Sequence, residues 1–166
     1  MIFAAAIVFS GSIFVKAQEE VSGIKVGTSD QNDVLKKLGN DYELITYETY
    51  SRQLKYKKLG LSFYYCQDDP KQIIFSIEVR MPFKGAVGKG IVVGKSQVKD
   101  VFRLYGRPIE EISPPWLEYA GIDFRNVDLE TGEINSLNDE MLINEINIYA
   151  PGFTFCDEPS SDLKAK

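Results

Sequence analysis

The chain has 166 residues, of which 44% are hydrophobic and 26% are charged, with a formal net charge of -5 and no histidine. This composition is typical of a globular protein with one domain or two small units, and it excludes general disorder. Because phosphate binding needs a basic face, we do not expect nucleic acid as a partner.

The first segment is apolar from Ile2 to Val15, apart from residues 10–12, and is shorter than the roughly 20 residues that span a bilayer. We predict a signal peptide over residues 1–17, cleaved after Ala17. The lack of a basic residue before the apolar run leaves open an upstream start or a retained anchor. We expect a periplasmic or extracellular protein, with membrane association only through a retained N-terminal segment.

One phrase occurs twice, as GIKVGTSDQNDVLKKLG at 23–39 and GIVVGKSQVKDVFRLYG at 90–106. The correspondence continues through LGLSF and AGIDF, and then through IEVRMP and INIYAP. Internal repeats of this kind are typical of duplicated structural units. We therefore predict two tandem units, over residues 18–84 and 85–157, followed by a flexible tail over residues 158–166.

The repeated phrase has the features of a short helix. Ser29 and Ser96 are predicted to cap its first turn, since serine oxygens accept hydrogen bonds from unpaired backbone amides. Gly39 and Gly106 are predicted to end it in the left-handed conformation that glycine tolerates.

Strands are predicted after each helix. Hydrophobic and polar residues alternate over 75–81 and over 145–149, with the period of two that gives a sheet one buried and one wetter face. Turn signals at 67–71 and 128–139 separate successive strands. The predicted fold class is α+β: two tandem repeats, each a short helix packed on an antiparallel β-meander, whose sheets can form one concave surface.

The doubled phrase, glycine-hydrophobic-x-hydrophobic-glycine-x-serine opening a helix that ends in glycine, resembles a known family. It is similar to the tandem modules of the beta-lactamase inhibitor protein and to the related SmpA/OmlA outer-membrane module. The resemblance covers roughly residues 21–152 and implies the fold. It implies no particular target, because no residue here matches an inhibitory loop, and the lipoprotein cysteine is absent.

The two cysteines are Cys66 and Cys156. In an oxidising compartment they are expected to form one disulfide that closes a loop of about 90 residues. The alternative is a pair of buried, unpaired thiols.

Two stretches resemble ligand-binding motifs but depart from them. GKGIVVGKS at 88–96 has Lys89 where a phosphate loop needs its first glycine. The acidic stretch at 128–140 has Glu133 where a calcium loop needs glycine. With no histidine and no nucleophile motif, we expect no enzyme activity, no cofactor and no metal.

Surface recognition remains as the predicted function. Tyrosine and tryptophan are effective anchors in protein interfaces, and seven aromatic residues and one arginine are our candidates for a partner-binding face: Tyr47, Tyr50, Tyr56, Tyr64, Arg80, Trp116, Tyr119 and Tyr149. Lys57 and Lys58 are predicted at its rim. The alternative is that these rings cover the edges of the core or the junction between the units.

Charge adds a second feature. Residues 1–106 hold 15 basic and 11 acidic residues, whereas residues 107–166 hold 4 and 13. The two parts can attract each other or form a polarised surface, but solvated faces of unequal composition are the simpler explanation of the asymmetry. We predict an exported module that binds another protein, as an inhibitor or an assembly factor. The alternatives are a structural or sensory envelope component, and a glycan-binding protein or carboxylate-dependent glycan hydrolase.

Overall fold

A computed structural model describes residues 20–108, 115–150 and 156. The predicted signal peptide and the whole of the predicted tail lie outside these residues. The elements, in chain order, are β1 (Glu20–Val21), β2 (Ile24–Lys25), α1 (Gln31–Leu38), β3 (Glu43–Thr46), β4 (Ser51–Tyr56), β5 (Leu61–Cys66), β6 (Ser76–Arg80), α2 (Val98–Tyr105), β7 (Trp116–Tyr119), β8 (Ile122–Arg125) and β9 (Glu145–Tyr149).

Seven of these strands form one antiparallel sheet in the order β3-β4-β5-β6-β9-β8-β7, and β1 and β2 form a separate hairpin. Two helices among the described residues accompany this sheet, so the predicted α+β class with antiparallel strands is confirmed. We call α1 with β3–β6 the first half and α2 with β7–β9 the second half.

The two faces of the sheet differ because side chains alternate along each strand. In β5, Leu61, Phe63 and Tyr65 are buried in the hydrophobic core, together with Val34 of α1 and Val101 of α2. Both helices therefore cover the same face, which we call the helix side. The opposite face carries the polar residues of the strands, and we call it the polar face.

Each helix begins one residue later than the sequence predicted. α1 has a complete capping box between Asp30 and Asp33, whereas at α2 only one of the two bonds forms, from the Gln97 amide to the Asp100 carboxylate. The N-caps are Asp30 and Gln97, so the prediction that Ser29 and Ser96 cap the helices is wrong. Both serine hydroxyls instead accept from the amide four residues earlier, at 3.1 Å and 3.0 Å. Those bonds close the turn before the helix. Because the serine hydroxyl is already engaged there, the next residue is the N-cap.

Glycine ends each helix, as predicted. Gly39 has φ of 77° and Gly106 has φ of 86°, with ψ of -164° and 166°. This is an extended conformation open essentially to glycine alone, rather than the left-handed helical one that we expected.

The turn before each helix is held by the same backbone bonds in both halves. An amide of the turn donates to a carbonyl before β6 or β9, and an amide from that segment returns to the serine carbonyl. The four bonds are Gly27 N to Ile74 O (2.7 Å), Ile74 N to Ser29 O (2.8 Å), Gly94 N to Ile143 O (2.7 Å) and Ile143 N to Ser96 O (2.8 Å). The doubled phrase thus anchors each helix to the strand that lies at the centre of the sheet.

The halves meet where β6 pairs with β9. Glu78 lies opposite Asn147, with Ser76 opposite Tyr149 and Arg80 opposite Glu145. This register is the one that a two-fold axis between Glu78 and Asn147 would produce. The two halves therefore share one continuous sheet and one core.

The predicted disulfide is present. Cys66 and Cys156 are bonded, with their Cα atoms 5.4 Å apart and a separation of 90 positions in sequence. Loop-entropy models assign such a bond about 4 kcal/mol of stabilisation. Because Cys66 ends β5 on the polar face, the bond ties the chain after β9 to the first half.

Within the part of the chain that the structure describes, no helix has the length and apolar character needed to cross a membrane.

Candidate binding face

The polar face consists of three rows of side chains, in which each residue lies opposite its neighbour on the next strand. The middle row crosses all seven strands as Glu43, Lys55, Ser62, Glu78, Asn147, Asp123 and Glu118. The tyrosine row contains Ile45, Gln53, Tyr64, Ser76 and Tyr149. The arginine row contains Arg80, Glu145, Arg125 and Trp116.

Ion pairs join the middle of this face. Arg125 binds Asp123 through two nitrogens, at 2.7 Å and 2.9 Å, and its third nitrogen lies 3.4 Å from Glu145. Arg80 pairs with Glu145 on one side and lies 3.1 Å from Glu78 on the other. The side chains of Glu145 and Asp123 are only 3% and 6% exposed, so they depend on these partners, because an unpaired buried charge is strongly destabilising.

Asn147 completes this cluster at the centre of the sheet. Its amide nitrogen donates to Asp123 Oδ1 at 3.2 Å and to Glu145 Oε1 at 2.9 Å. The amide thereby holds two like charges near each other without carrying charge itself.

A chain of side-chain hydrogen bonds leads from the sheet edge to the same cluster. Tyr47 donates its hydroxyl to Gln53 Oε1 at 2.6 Å, and Gln53 donates to the Tyr64 hydroxyl at 2.9 Å. Tyr64 in turn donates to Glu78 Oε2 at 3.1 Å. Since each member fixes the next, the side chains of this face are held in place before any partner arrives.

Burial sets the electrostatics of the cluster. Loss of water raises the pKa of Glu78, and the nearby Arg80 only partly opposes that change. The pKa of Asp123 is also raised by burial, against the opposing effect of Arg125. Burial, followed by the charge of Glu78, raises the pKa of Tyr64 well above its ordinary value.

The end of the face at β7 is more aromatic. The Arg125 guanidinium lies over the Trp116 ring, 5.2 Å from its centroid. The Tyr149 hydroxyl is 3.0 Å from Glu118 Oε1 and 3.1 Å from the Tyr119 carbonyl oxygen. The Tyr149 hydroxyl is therefore fixed by its partners, and the Trp116 ring lies against the Arg125 guanidinium, while both rings have apolar surface.

The structure brings five of the predicted face residues together on or beside the polar face: Tyr47, Tyr64, Arg80, Trp116 and Tyr149. Tyr56 and Tyr119 lie on the helix side, because each is an odd number of residues from the polar positions of its own strand. Tyr56 is 1% exposed, and its hydroxyl bonds the Gly39 carbonyl. Tyr50 lies in the turn between β3 and β4 with φ of 59°.

The predicted rim lysines lie at the turn between β4 and β5. Lys57 pairs with Glu43 and Lys58 pairs with Asp41, both at 2.8 Å. These pairs are exposed, so each contributes little to stability.

Sequence reasoning missed four members of the cluster: the charged residues Asp123, Arg125 and Glu145, and the neutral Asn147. A signal was present, since each alternates with a core residue such as Phe124 or Ile146. Only the pairing of the strands, however, shows that these four side chains lie next to one another.

The central carboxylates of this face, those of Glu145 and Asp123, are buried and paired with arginine. Among residues 20–108, 115–150 and 156, no cluster of three or more histidine, cysteine or acidic side chains is arranged to hold a metal ion.

Comparison with protein-family models finds no match. Comparisons with curated proteins and with solved structures also find none.

Proposed function

We propose that this chain is a non-enzymatic protein-binding module and that the polar face is its binding surface. The observation that carries the proposal is the ordered network of aromatic and charged side chains on a face that neither helix covers. Preorganised side chains lose little entropy on binding, which favours a specific protein partner. Tyrosine, tryptophan and arginine are the residues that most often dominate interface energies.

We further propose that the two halves are tandem repeats related to the beta-lactamase-inhibitor-like and SmpA/OmlA-like modules. The doubled phrase, the bond from each N-cap amide to an aspartate three residues later and the four equivalent turn bonds support the repeat. The family relationship rests on the resemblance of the phrase. Under this proposal the repeat provides a scaffold, and the polar face provides the specificity.

An exported location is part of the proposal. The Cys66–Cys156 disulfide supports it, since disulfides persist mainly in oxidising compartments. The partner would then be a periplasmic, envelope or extracellular protein, and this chain would act on it as an inhibitor or an assembly factor.

The test is crosslinking and capture from the envelope fraction of the producing cell, comparing the wild type with three variants. Trp116→Ala and Tyr47→Ala remove aromatic groups from the polar face. Leu44→Ala is the matched control, because Leu44 is 50% exposed but faces the helix side. Circular dichroism establishes that all three variants are folded.

We expect one crosslinked protein that is lost or strongly reduced with the two polar-face variants and retained with Leu44→Ala. Recovery of the bait alone would instead favour a structural or sensory component without a tight partner. Equal capture by all variants would place the binding surface elsewhere.

A further inference from the structure

A cavity of about 280 Å³ opens at the end of the polar face nearest the β4–β5 turn. It exists because Ser62, a small residue, lies between the longer side chains of Lys55 and Glu78 in the middle row. Its volume is just below the range of about 300–1,000 Å³ that is usual for small-molecule sites. The cavity therefore suits one inserted side chain better than a cofactor.

The walls of this cavity carry hydrogen-bond donors without partners. Within the described part of the chain, the Lys55 ammonium makes no ion pair or hydrogen bond, and neither does the Ser62 hydroxyl. Ser62 is 3% exposed, so its hydroxyl has little access to solvent except through the cavity. A buried hydroxyl and a nearby free ammonium are both best satisfied by an acceptor with negative charge.

The charges of the lining residues point to a singly charged anion. Lys55, Lys57 and Arg80 line the cavity, and Glu78 is the one acidic residue among them. Lys57 is already paired with Glu43, and Arg80 with Glu78 and Glu145. The Lys55 ammonium makes no ion pair with a described residue, and its charge acts only at longer range on Glu43 and Glu78. A doubly charged phosphate would lie against the Glu78 carboxyl, and a cation would be repelled by Lys55.

We propose that this cavity is the pocket for a carboxylate side chain, an aspartate or glutamate of the protein partner. The inference rests on the proposed function, and it names the chemistry of the partner's anchor. The carboxylate would accept from the Lys55 ammonium and the Ser62 hydroxyl, with Arg80 adding positive charge at one wall.

The first experiment uses acetate as the probe and does not need the partner. Acetate is titrated into the full chain while the backbone amide signals of Ser62 and its neighbours are followed by NMR, and acetamide serves as the uncharged comparison. We expect saturable shifts with acetate only. Lys55→Gln should weaken acetate binding by about tenfold or more, since it removes a charged donor.

Lys58→Gln is the matched control, because it removes the same charge from an exposed residue of the same turn that does not line the cavity. It should leave acetate binding within about twofold, as expected for a screened surface charge. Shifts that do not saturate, or an equal loss in both variants, would overturn the pocket. Neither result bears on the capture experiment, so a failure of the pocket is distinguishable from a failure of the binding face.

The second experiment repeats the envelope capture with the same two variants. Reduced capture with Lys55→Gln and normal capture with Lys58→Gln would support the anchor. Normal capture with both variants, despite weakened acetate binding, would overturn the assignment of a partner carboxylate to this pocket.

Discussion

The two halves of the molecule are nearly the same on one face and different on the other. On the helix side, matching positions hold identical or closely similar residues: Leu54 and Leu117, Tyr56 and Tyr119, Leu61 and Ile122, Phe63 and Phe124, Ile77 and Ile146, and Val79 and Ile148. On the polar face, matching positions hold different residues: Gln53 and Trp116, Lys55 and Glu118, Ser62 and Asp123, Tyr64 and Arg125, Ser76 and Glu145, Glu78 and Asn147, and Arg80 and Tyr149.

This difference separates the requirements of folding from those of recognition. A core position must be filled by a side chain of suitable volume, and the matching core positions hold side chains of similar size. A polar-face position does not fill the core, so its residue can differ as long as a buried charge, such as that of Asp123 or Glu145, keeps its partner. The result is an asymmetric face, with Lys55 in the first half where the second half has Glu118, and Ser62 where the second half has Asp123.

The largest effects should come from the shared core. Phe63 and Phe124 are fully buried at matching positions of one hydrophobic cluster. We expect Phe63→Ala and Phe124→Ala each to lower the free energy of unfolding by about 3–5 kcal/mol, because each leaves a cavity. Urea denaturation followed by circular dichroism measures this.

The same curves test whether the halves unfold together. Since both phenylalanines belong to one core, each variant should show one transition. Leu44→Ala, at an exposed position, should change the unfolding free energy by less than about 0.5 kcal/mol. Two separate transitions in either phenylalanine variant would mean that the halves are independent folding units.

Intermediate effects should come from two equivalent tyrosines. Tyr56 donates its hydroxyl to the Gly39 carbonyl at 2.7 Å, and Tyr119 donates to the Gly106 carbonyl at 2.5 Å. Each bond ties the end of a helix to the end of a strand. We expect Tyr56→Phe to cost about 0.5–1.5 kcal/mol and Tyr119→Phe to cost less, because its bond is exposed to water.

Tyr42→Phe is the control for this pair. Its ring packs 5.6 Å from Tyr56, but its hydroxyl makes no hydrogen bond within the described residues. Thermal unfolding should show a smaller effect for Tyr42→Phe than for Tyr56→Phe. A larger cost at Tyr119 than at Tyr56 would contradict the assumption that burial decides the strength of these bonds.

The sequence predicted the helix side better than the polar face, for a physical reason. Strand alternation and the doubled phrase depend on neighbours along the chain, so Phe63, Phe124 and the glycines that end the helices were readable. Pairing between β6 and β9 joins residues about 70 positions apart, and the sequence offers no local signal for it. The contact between Arg80 and Glu145 depends on that pairing, so Arg80 was predicted on this face but its buried partner was missed.

Predictions from the sequence were also wrong where two neighbouring residues could fill one role or where one residue type suits two environments. Ser29 is an acceptable helix cap, but Asp30 beside it takes the cap in a reciprocal bond with Asp33. Tyr56 was assigned to the binding face because tyrosine suits either environment, and the count of residues from Leu54 would have placed it in the core. The disulfide was predictable because only two cysteines are present.

The smallest effect should appear where one half carries a buried charge and the other does not. Glu78 lies opposite Asn147, and burial raises the pKa of Glu78 above its ordinary value of 4.5. The folded protein therefore holds this proton more readily than the unfolded chain. Its contribution to stability is fully present below pH 4.5 and is lost as the pH rises through the raised pKa.

Glu78→Gln keeps an acceptor for Tyr64 and should remove this loss, so the unfolding free energy should fall less between about pH 4.5 and pH 7.

Asp128→Asn provides a comparison of opposite sign. Backbone hydrogen bonds from Thr131 and Glu130 lower the pKa of Asp128, so its contribution is present above its ordinary value of 3.8 and is lost as the pH falls through the lowered pKa. Urea midpoints should be measured from below pH 4 up to pH 7. Relative to the wild type, the pH dependence of the midpoint should change above pH 4.5 for Glu78→Gln and only below about pH 4 for Asp128→Asn. If Glu78→Gln showed the wild-type slope, the Glu78 carboxyl would have the same pKa in the folded and unfolded states. Arg80 and the tyrosine chain would then compensate fully for its burial, and the two halves would differ in charge at this position without differing in its energetic cost.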